Sequence, residues 1–252
     1  MSLSKISPPA GMTASGVLYP AALIAFMVRH GLSKKSLSQS GALAAAIVGL
    51  GTFTNSPYVF STVLLTFYLS SSRLTKFKAQ IKKNFEWASE LGILNKSWPT
   101  LITTLKKVPP GTNGGVSPLG LGASFAGGLL IGVTAAISVL VQLAVESLLP
   151  WQNDRGFDTL LSKLDPKFFF ALIVASSGAG FFGSLLDSLL GATVQKSNYS
   201  TKKKMITYKT PEKDDEIKAI SGLDILDNHQ VNFVSSLLIS LSTGYLSLKA
   251  LW

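Results

Sequence analysis

The sequence contains no cysteine, and this absence excludes several classes of chemistry. Disulfides, thiolate metal sites, iron–sulfur clusters and a cysteine nucleophile are all ruled out in a chain of 252 residues. Histidine is nearly absent too, since the chain has only His30 and His229. His30 borders a basic loop, and His229 stands close to Asp227 without an evident nucleophile. We therefore do not expect catalysis that depends on histidine.

Charged residues are scarce as well, and uncharged stretches are correspondingly long. Only 14% of the residues are charged while 47% are hydrophobic, more apolar side chain than a soluble surface hides. A helix that crosses a bilayer needs about 20 apolar residues. Stretches of about that size or longer without Lys, Arg, Asp or Glu occupy residues 6–28, 36–72, 108–145, 168–186 and 228–248. We predict an all-α, polytopic integral membrane helix bundle.

These stretches predict about six transmembrane helices in a single transmembrane domain, residues 1–252. Backbone amides in hydrocarbon must pair within their own segment, which favours helices. The predicted spans are residues 15–29, 41–54, 57–72, 119–141, 168–194 and 231–249. Asn55 and Pro57 favour a turn between the second and third spans. The first is interpreted as a retained span, because no convincing small-residue cleavage site follows it.

The basic residues follow the alternation of the loops. The chain has 23 Lys and Arg against 13 acidic residues. Eighteen of the 23 fall in residues 29–40, 73–115 and 196–230, which alternation places on one side of the membrane. Because cytoplasmic loops retain an excess of Lys and Arg, residues 73–115 and 196–230 are predicted to be basic cytoplasmic loops. Topology thus accounts for the net charge of +10 without nucleic acid, and the lipid bilayer is the expected partner.

Small and polar residues indicate which helix faces look inward, because transmembrane helices pack through such residues. On the fifth span the stripe consists of Ser176, Gly180, Ser184, Asp187 and Gly191. On the fourth it consists of Gly120, Ser124, Gly127, Thr134, Ser138 and Gln142. On the sixth it consists of Asn232, Ser236, Thr243 and Ser247. Asp187 is therefore expected to face protein or water, since an intramembrane carboxylate is costly in lipid.

Polar groups gather at the cytoplasmic ends of these spans and form a candidate site. Asp187 lies near the end of its span, and Asp227-Asn228 immediately precede the next. Residues 106–115 add two lysines, a Pro-Pro turn and glycines that allow backbone N–H groups to approach an anion. Such a set suits a magnesium-bound nucleotide or a phosphorylated lipid. The alternative, which the residues leave open, is that Asp227 or Asn228 only caps a helix.

Several segments together resemble the transmembrane protein 19 family. They are residues 34–43, 67–76, 101–104, 108–116, 183–195, 226–228 and 231–237. The similarity extends over most of residues 32–240, and the combined pattern is specific. The resemblance implies a polytopic membrane protein, and the plant relatives in this family include the phytyl phosphate kinase of the vitamin E pathway.

The resemblance also has an internal gap. In the family, further helices and an Asp-Thr pair precede the Trp-Ala-Ser-Glu motif, whereas here Phe85-Glu86 runs directly into Trp87. About two spans, roughly 60 residues, are missing relative to the family. A shortened splice form or a mispredicted exon is the expected explanation. The gap removes a family carboxylate, and an inactive shortened form of the family's enzyme is therefore the alternative expected for this chain.

Two hypotheses follow from the resemblance and the candidate site. The first is an isoprenoid (prenyl or phytyl) phosphate kinase that uses ATP or CTP, with Asp187 and Asp227 as catalytic residues that hold Mg²⁺. The residues expected to bind phosphate or nucleotide are Lys106, Lys107, Asn113, Gly114, Gly115 and Asn228. The second is a nonenzymatic membrane carrier or assembly factor.

Overall fold

The computed structural model describes residues 14–33, 38–53, 59–90, 98–148, 166–202, 204–207 and 216–251. Six helices make up most of this part of the chain. They are α1 (Ala14–Ser33), α2 (Gln39–Phe53), α3 (Val59–Glu90), α4 (Pro118–Leu148), α5 (Pro166–Val194) and α6 (Asn228–Leu251). Five short strands occur between the helices. They are β1 (Thr100–Leu101), β2 (Gly115–Val116), β3 (Ser197–Ser200), β4 (Met205–Thr207) and β5 (Ile217–Ser221).

Three of the described helices are long and apolar enough to cross a bilayer. These segments are Pro118–Val145, Pro166–Val194 and Asn228–Lys249, and α2 is a shorter apolar helix. The prediction of a mostly helical protein with several membrane spans is confirmed. The predicted number of six spans is not confirmed, because α1, α2 and α3 do not meet the requirement of length and hydropathy.

The third helix continues well beyond its predicted end at residue 72. It runs from Val59 to Glu90, so the predicted loop 73–115 begins as a helix. No Gly or Pro interrupts these 32 residues, and the Lys, Gln and Ala that follow residue 72 are good helix formers. A change from apolar to charged composition marks the edge of a membrane, but it does not end a helix.

Two small antiparallel sheets were missed by the all-α prediction. In the first, Thr100 pairs with Val116 and Leu101 with Gly115. In the second, the strand order is β4-β3-β5, with β3 in the middle. These strands are two to five residues long, which is too short for alternating hydrophobicity to reveal them.

The chain divides into two compact units. The first contains Met1–Arg73 with Val133–Phe169, and the second contains Leu74–Gly132 with Phe170–Trp252. In the first unit α1 packs on α2, where a Cβ added to Gly49 would lie 3.1 Å from Cγ1 of Ile24. The candidate site lies entirely in the second unit.

Within the second unit, glycines bring the backbones of α4 and α5 into direct contact. A Cβ on Gly132 would lie 2.9 Å from Cα of Ile173, and a Cβ on Gly180 would lie 3.1 Å from Cα of Gly128. Residues that small at a spacing of four are typical of packed transmembrane helices. Of the predicted stripe on α4, Ser124 lies at this contact and Gln142 is buried, but Gly127 has nothing within 4 Å and Gly128 takes its place.

The inward face of α6 also differs from the prediction. Val231 is 1% exposed and Ser235 is 5% exposed, whereas Asn232 and Ser236 are exposed. Thr243 and Ser247 of the predicted stripe are half-buried, so the prediction holds there, and it is displaced by one position, 100° on a helix, at the first two residues. Ser235 and Ser236 carry the same side chain, and only packing separates them.

Candidate functional site

The candidate site is built on an antiparallel contact between α5 and α6. A Cβ on Gly183 would lie 3.9 Å from Cβ of Ile239. One turn further along both helices, the Ser235 hydroxyl donates a hydrogen bond of 3.0 Å to Oδ1 of Asp187. Asp187 lies seven residues before the end of α5 at Val194, a rise of about 10 Å. The hydrogen bond between Ser235 and Asp187 therefore lies between the two helices and not at their ends.

Asp187 is held by a residue from another helix. Its side chain is half-buried, and that of Ser235 is buried. The Ser235 hydroxyl is also 3.2 Å from the carbonyl oxygen of Asn232, so its single proton is shared between two acceptors. The prediction that Asp187 faces protein is confirmed by this contact.

The glycine-rich turn at residues 109–115 adopts a backbone that requires glycine. Gly111 has φ of 90° and Gly114 has φ of 77°, the left-handed region that side chains with a Cβ rarely occupy. Thr112 is buried, and its hydroxyl donates to the Pro109 carbonyl over 2.7 Å. The amide of Gly115 donates to the Thr112 carbonyl over 3.0 Å. The turn is thus closed by its own hydrogen bonds.

This turn lies directly against the end of α5. A Cβ on Gly191 would lie 3.1 Å from the backbone nitrogen of Gly114. A Cβ on Gly114 would lie 2.6 Å from the Ser188 carbonyl oxygen and would overlap Ala192. Since Ser188 immediately follows Asp187, the structure brings the turn and Asp187 to the same end of the same helix.

Most of the turn's amides already have protein acceptors. The backbone N–H of Asn113 donates to the Ser197 hydroxyl over 3.0 Å, and its side-chain amide donates to the Lys196 carbonyl over 3.1 Å. Thr112 donates its amide to the Pro109 carbonyl over 3.2 Å. With the Gly115 amide also engaged, an anion at the turn would have to replace these bonds. The two hydrogen bonds of Asn113 attach the turn to Lys196 and Ser197, at the start of β3.

The two lysines before the turn are exposed. Lys107 forms an isolated β-bridge with Thr100, and its ammonium group donates to the Trp98 carbonyl over 3.1 Å. Neighbouring residues of an extended segment point to opposite faces. We therefore expect no more than one of Lys106 and Lys107 to face the turn.

Asp227 caps the start of α6. Its Oδ1 accepts the backbone N–H groups of His229 and Gln230, each over 2.8 Å. In return, Oε1 of Gln230 accepts the backbone N–H of Asp227 over 2.9 Å. This reciprocal pattern is a capping box with Gln in the reaching position. Asn228 is the exposed first residue of the helix.

The two candidate carboxylates lie at different heights in the bundle. Asp227 is eight residues before Ser235 on α6, a rise of about 12 Å, while Asp187 contacts Ser235 itself. Ligands of one Mg²⁺ each lie about 2.1 Å from the ion. Asp187 and Asp227 therefore do not fit a single shared Mg²⁺ in this conformation. Among the described residues, no group of three or more His, Asp or Glu is arranged to hold a metal ion.

The segment before α6 holds the start of α6 at the end of α5. Leu223 donates its amide to the Thr193 carbonyl over 2.8 Å, and Leu226 donates to the Val194 carbonyl over 2.9 Å. Gly222 has φ of 71°, which permits the close turn beside Gln195. These bonds satisfy carbonyl groups that would otherwise lack partners at the helix end.

Sequence reasoning missed Ser197 and Ser235 as partners of the site. Ser197 lies in the predicted loop 196–230, and nothing local in the sequence indicates its hydrogen bond with Asn113. A signal for Ser235 does exist, because Val231, Ser235 and Ile239 repeat every four residues. This repeat competes with the neighbouring polar series, and the sequence alone does not decide between them.

The chain is similar to a family of integral membrane proteins and to a plant protein. The model of a family described as integral membrane protein DUF92 matches residues 22–86 and 86–240. These segments meet at residue 86, where the sequence predicted missing family residues. Protein PGR of Arabidopsis thaliana is 43% identical over 162 residues, which are 64% of this chain and 49% of that protein. The chain thus spans about half the length of this relative. No solved structure matches it.

Proposed function

The chain belongs to the DUF92 family of integral membrane proteins, and from this membership we propose that it phosphorylates an isoprenoid (prenyl or phytyl) phosphate with a nucleoside triphosphate at the membrane surface. The resemblance to the transmembrane protein 19 family, with its plant phytyl phosphate kinase, supports the choice of substrate class. Because the chain spans about half of the relative it matches, the proposal concerns what this half contributes.

One observation carries the proposal: the placement of Asp187. This carboxylate lies within an apolar helix that is long enough to span a membrane, and it contacts Ser235 on the neighbouring helix. A carboxylate at such depth is expensive and marks a functional site by default. The glycine turn packs on the next residue, Ser188, so a polar group of a lipid would meet both features at one end of α5.

In the proposed arrangement, the apolar tail of the lipid lies along the helices and its phosphate lies at the end that carries the sheets. Mg²⁺ takes one or two carboxylates and completes its shell with water and substrate phosphates, so Asp187 alone is a sufficient protein ligand. The residues proposed to neutralise or position phosphate are Asn113, Gly114, Gly115 and Asn228, with one of the two lysines Lys106 and Lys107. Their contribution is electrostatic and orientational. The predicted catalytic role of Asp227 is tested separately, because its Oδ1 already accepts hydrogen bonds from the start of α6.

The experiment compares the purified protein with two variants in nanodiscs. Each is incubated with a prenyl monophosphate and ATP or CTP, and the diphosphate product is measured by mass spectrometry. Asp187→Asn is expected to lower turnover by at least about 100-fold, the usual effect of removing one preorganised electrostatic group. Asp224→Asn is the matched control, since its side chain is 76% exposed in the segment before α6. Absence of product from the unaltered chain with either nucleotide contradicts the kinase.

A nonenzymatic membrane component is the second candidate, and a specific observation favours it. The Asp227 carboxylate caps a helix, and the amides of Thr112, Asn113 and Gly115 bind protein acceptors. In this case the polar groups hold the structure together and act on no ligand. The same variants separate the two candidates. A structural Asp187 predicts that Asp187→Asn reduces the yield of folded protein, whereas a kinase predicts a folded but inactive variant.

A further inference from the structure

A loop in the second unit exposes apolar side chains beside lysines. This loop, residues 98–108, is called the lysine loop below. Leu105 is 78% exposed and Trp98 is 43% exposed, and Lys106 and Lys107 are both exposed. Large apolar side chains so exposed outside the spanning helices need an explanation, because no part of the chain that the structure describes covers them.

The lysine loop has a defined shape. The amide of Leu101 donates to the Lys106 carbonyl over 2.9 Å, and the amide of Leu105 donates to the Leu101 carbonyl over 2.8 Å. The Lys107 ammonium group donates to the Trp98 carbonyl over 3.1 Å. The exposed side chains are therefore presented by a closed turn, which holds them in place relative to the sheet.

Leu105 is an unusual residue at its position. Its φ of 55° lies in the left-handed region, which glycine or asparagine occupies far more readily than leucine. Neither the backbone nor the core requires leucine here, since the side chain is almost entirely exposed. A strained residue that packing does not explain is reason to look for a role of the side chain itself.

Charge and position indicate what the loop meets. No Asp or Glu occurs between Glu90 and Glu146, so no acidic residue within this segment of the chain offsets the positive charge of Lys106 and Lys107. Ten residues after the loop the chain enters α4, the helix with the highest hydropathy of the three candidate spans. A cationic and apolar loop close to a spanning helix matches the chemistry of an anionic lipid surface.

We infer that the lysine loop anchors in the headgroup region of the adjacent membrane leaflet. Leu105 and Trp98 enter the apolar boundary, while Lys106 and Lys107 lie at the phosphates of anionic lipids. Tryptophan and lysine are the residues that occupy this zone in membrane proteins. The inference does not depend on the kinase proposal, because it requires lipid contact and no phosphoryl transfer.

The absence of cysteine makes a direct test straightforward. Leu105→Cys is labelled with a polarity-sensitive fluorophore in nanodiscs that contain phosphatidylglycerol. Lys204→Cys is the matched control, because Lys204 is also exposed and has φ of 50°. At position 105 we expect a blue-shifted emission and loss of intensity when lipids carry a nitroxide quencher. At position 204 we expect a water-like emission without that loss.

The role of the lysines has its own comparison. Adding Lys106→Gln and Lys107→Gln to the labelled Leu105→Cys chain is expected to shift the emission back towards water. Replacing phosphatidylglycerol with phosphatidylcholine is expected to do the same. Equal quenching in both lipids contradicts the part assigned to the lysines. A water-like emission at position 105, or equal quenching at positions 105 and 204, overturns the anchor. Thermal unfolding in detergent, measured alongside, shows whether each labelled chain is folded.

Discussion

Asp187 and Asp227 lie in two regions that use a carboxylate in different ways. Asp227 is exposed and accepts two backbone N–H groups of the helix that it begins. Asp187 is half-buried in α5 and is contacted by Ser235 of α6, 48 residues away. The first arrangement is local and replaceable by other capping residues. The second arrangement depends on the packing of α5 on α6. A neutral side chain such as asparagine would accept the same hydrogen bond from Ser235.

The two carboxylates differ in how far their structural role explains their presence. A carboxylate whose oxygen already satisfies a helix start has a structural reason to be there. A carboxylate inside a spanning helix has a high cost and a small structural benefit, because hydrogen bonds between such helices average about 0.6 kcal/mol. We therefore place the candidate chemistry at Asp187.

The largest expected effect is at Gly114, where the turn meets α5. Gly114→Val combines a left-handed backbone, which costs about 1–2 kcal/mol, with overlap against Ser188 and Ala192. Overpacking adds about 1–3 kcal/mol, so the loss of unfolding free energy should be about 3 kcal/mol. Denaturant titration in detergent measures it. Gly127→Ala is the control and should cost nothing, since Gly127 has nothing within 4 Å.

The next effect is at the cap of α6. Asp227→Ala should lower the free energy of unfolding by about 1 kcal/mol, because two backbone N–H groups lose their acceptor. Asp227→Asn should be close to the unaltered protein, since asparagine caps helices as well as aspartate does. Thermal unfolding distinguishes them. If Asp227→Asn retains stability but loses product formation, the carboxylate charge has a second role and the contrast with Asp187 is broken.

A smaller effect on stability is expected at Asp187 itself. Asp187→Asn should change the unfolding free energy by only about 0.6 kcal/mol, because the amide oxygen still accepts from Ser235. Ser235→Ala should have a similar effect, measured in the same titrations. A loss several times larger from Asp187→Asn would show that the bundle needs the charge for folding, and it would favour the nonenzymatic candidate.

The smallest effect is expected at Leu105. Leu105→Asn should leave the melting temperature in detergent unchanged or slightly higher, because asparagine tolerates the left-handed backbone and the leucine side chain is exposed. The change in unfolding free energy should stay within about 0.5 kcal/mol, as is usual for an exposed side chain. A clear loss of stability in detergent would mean that Leu105 packs within the protein, which is incompatible with a free membrane anchor.

The sequence predicted features that depend on composition and helical spacing. The stripe through Gly180, Asp187 and Gly191 on α5 was correct, because each of these residues contacts another element. On α6, Thr243 and Ser247 of the predicted stripe are half-buried, but Ser235 is buried in place of Ser236, since the two carry the same side chain and only long-range packing selects between them. A local sequence pattern therefore does not distinguish Ser235 from Ser236.

The candidate site was predictable to a similar extent. The capping alternative for Asp227 could be stated from its position before a helix, and the structure shows that cap. The hydrogen bond from Asn113 to Ser197 joins residues 84 apart, through strands too short to carry a pattern. The distance between Asp187 and Asp227 also depends on the register of two helices, which the spacing of residues in one sequence does not determine.

The central claim is that α5 and α6 pack so that Asp187 meets Ser235, and a disulfide tests it most directly. A Cβ on Gly183 would lie 3.9 Å from Cβ of Ile239, within the range that disulfides bridge. Gly183→Cys with Ile239→Cys should form an intramolecular disulfide on mild oxidation in membranes, seen as a gel shift that reductant reverses. Gly183→Cys with Leu238→Cys should not, because Leu238 is 45% exposed on another face. Crosslinking of the second pair in preference to the first would contradict this register, and Ser235 would then not contact Asp187.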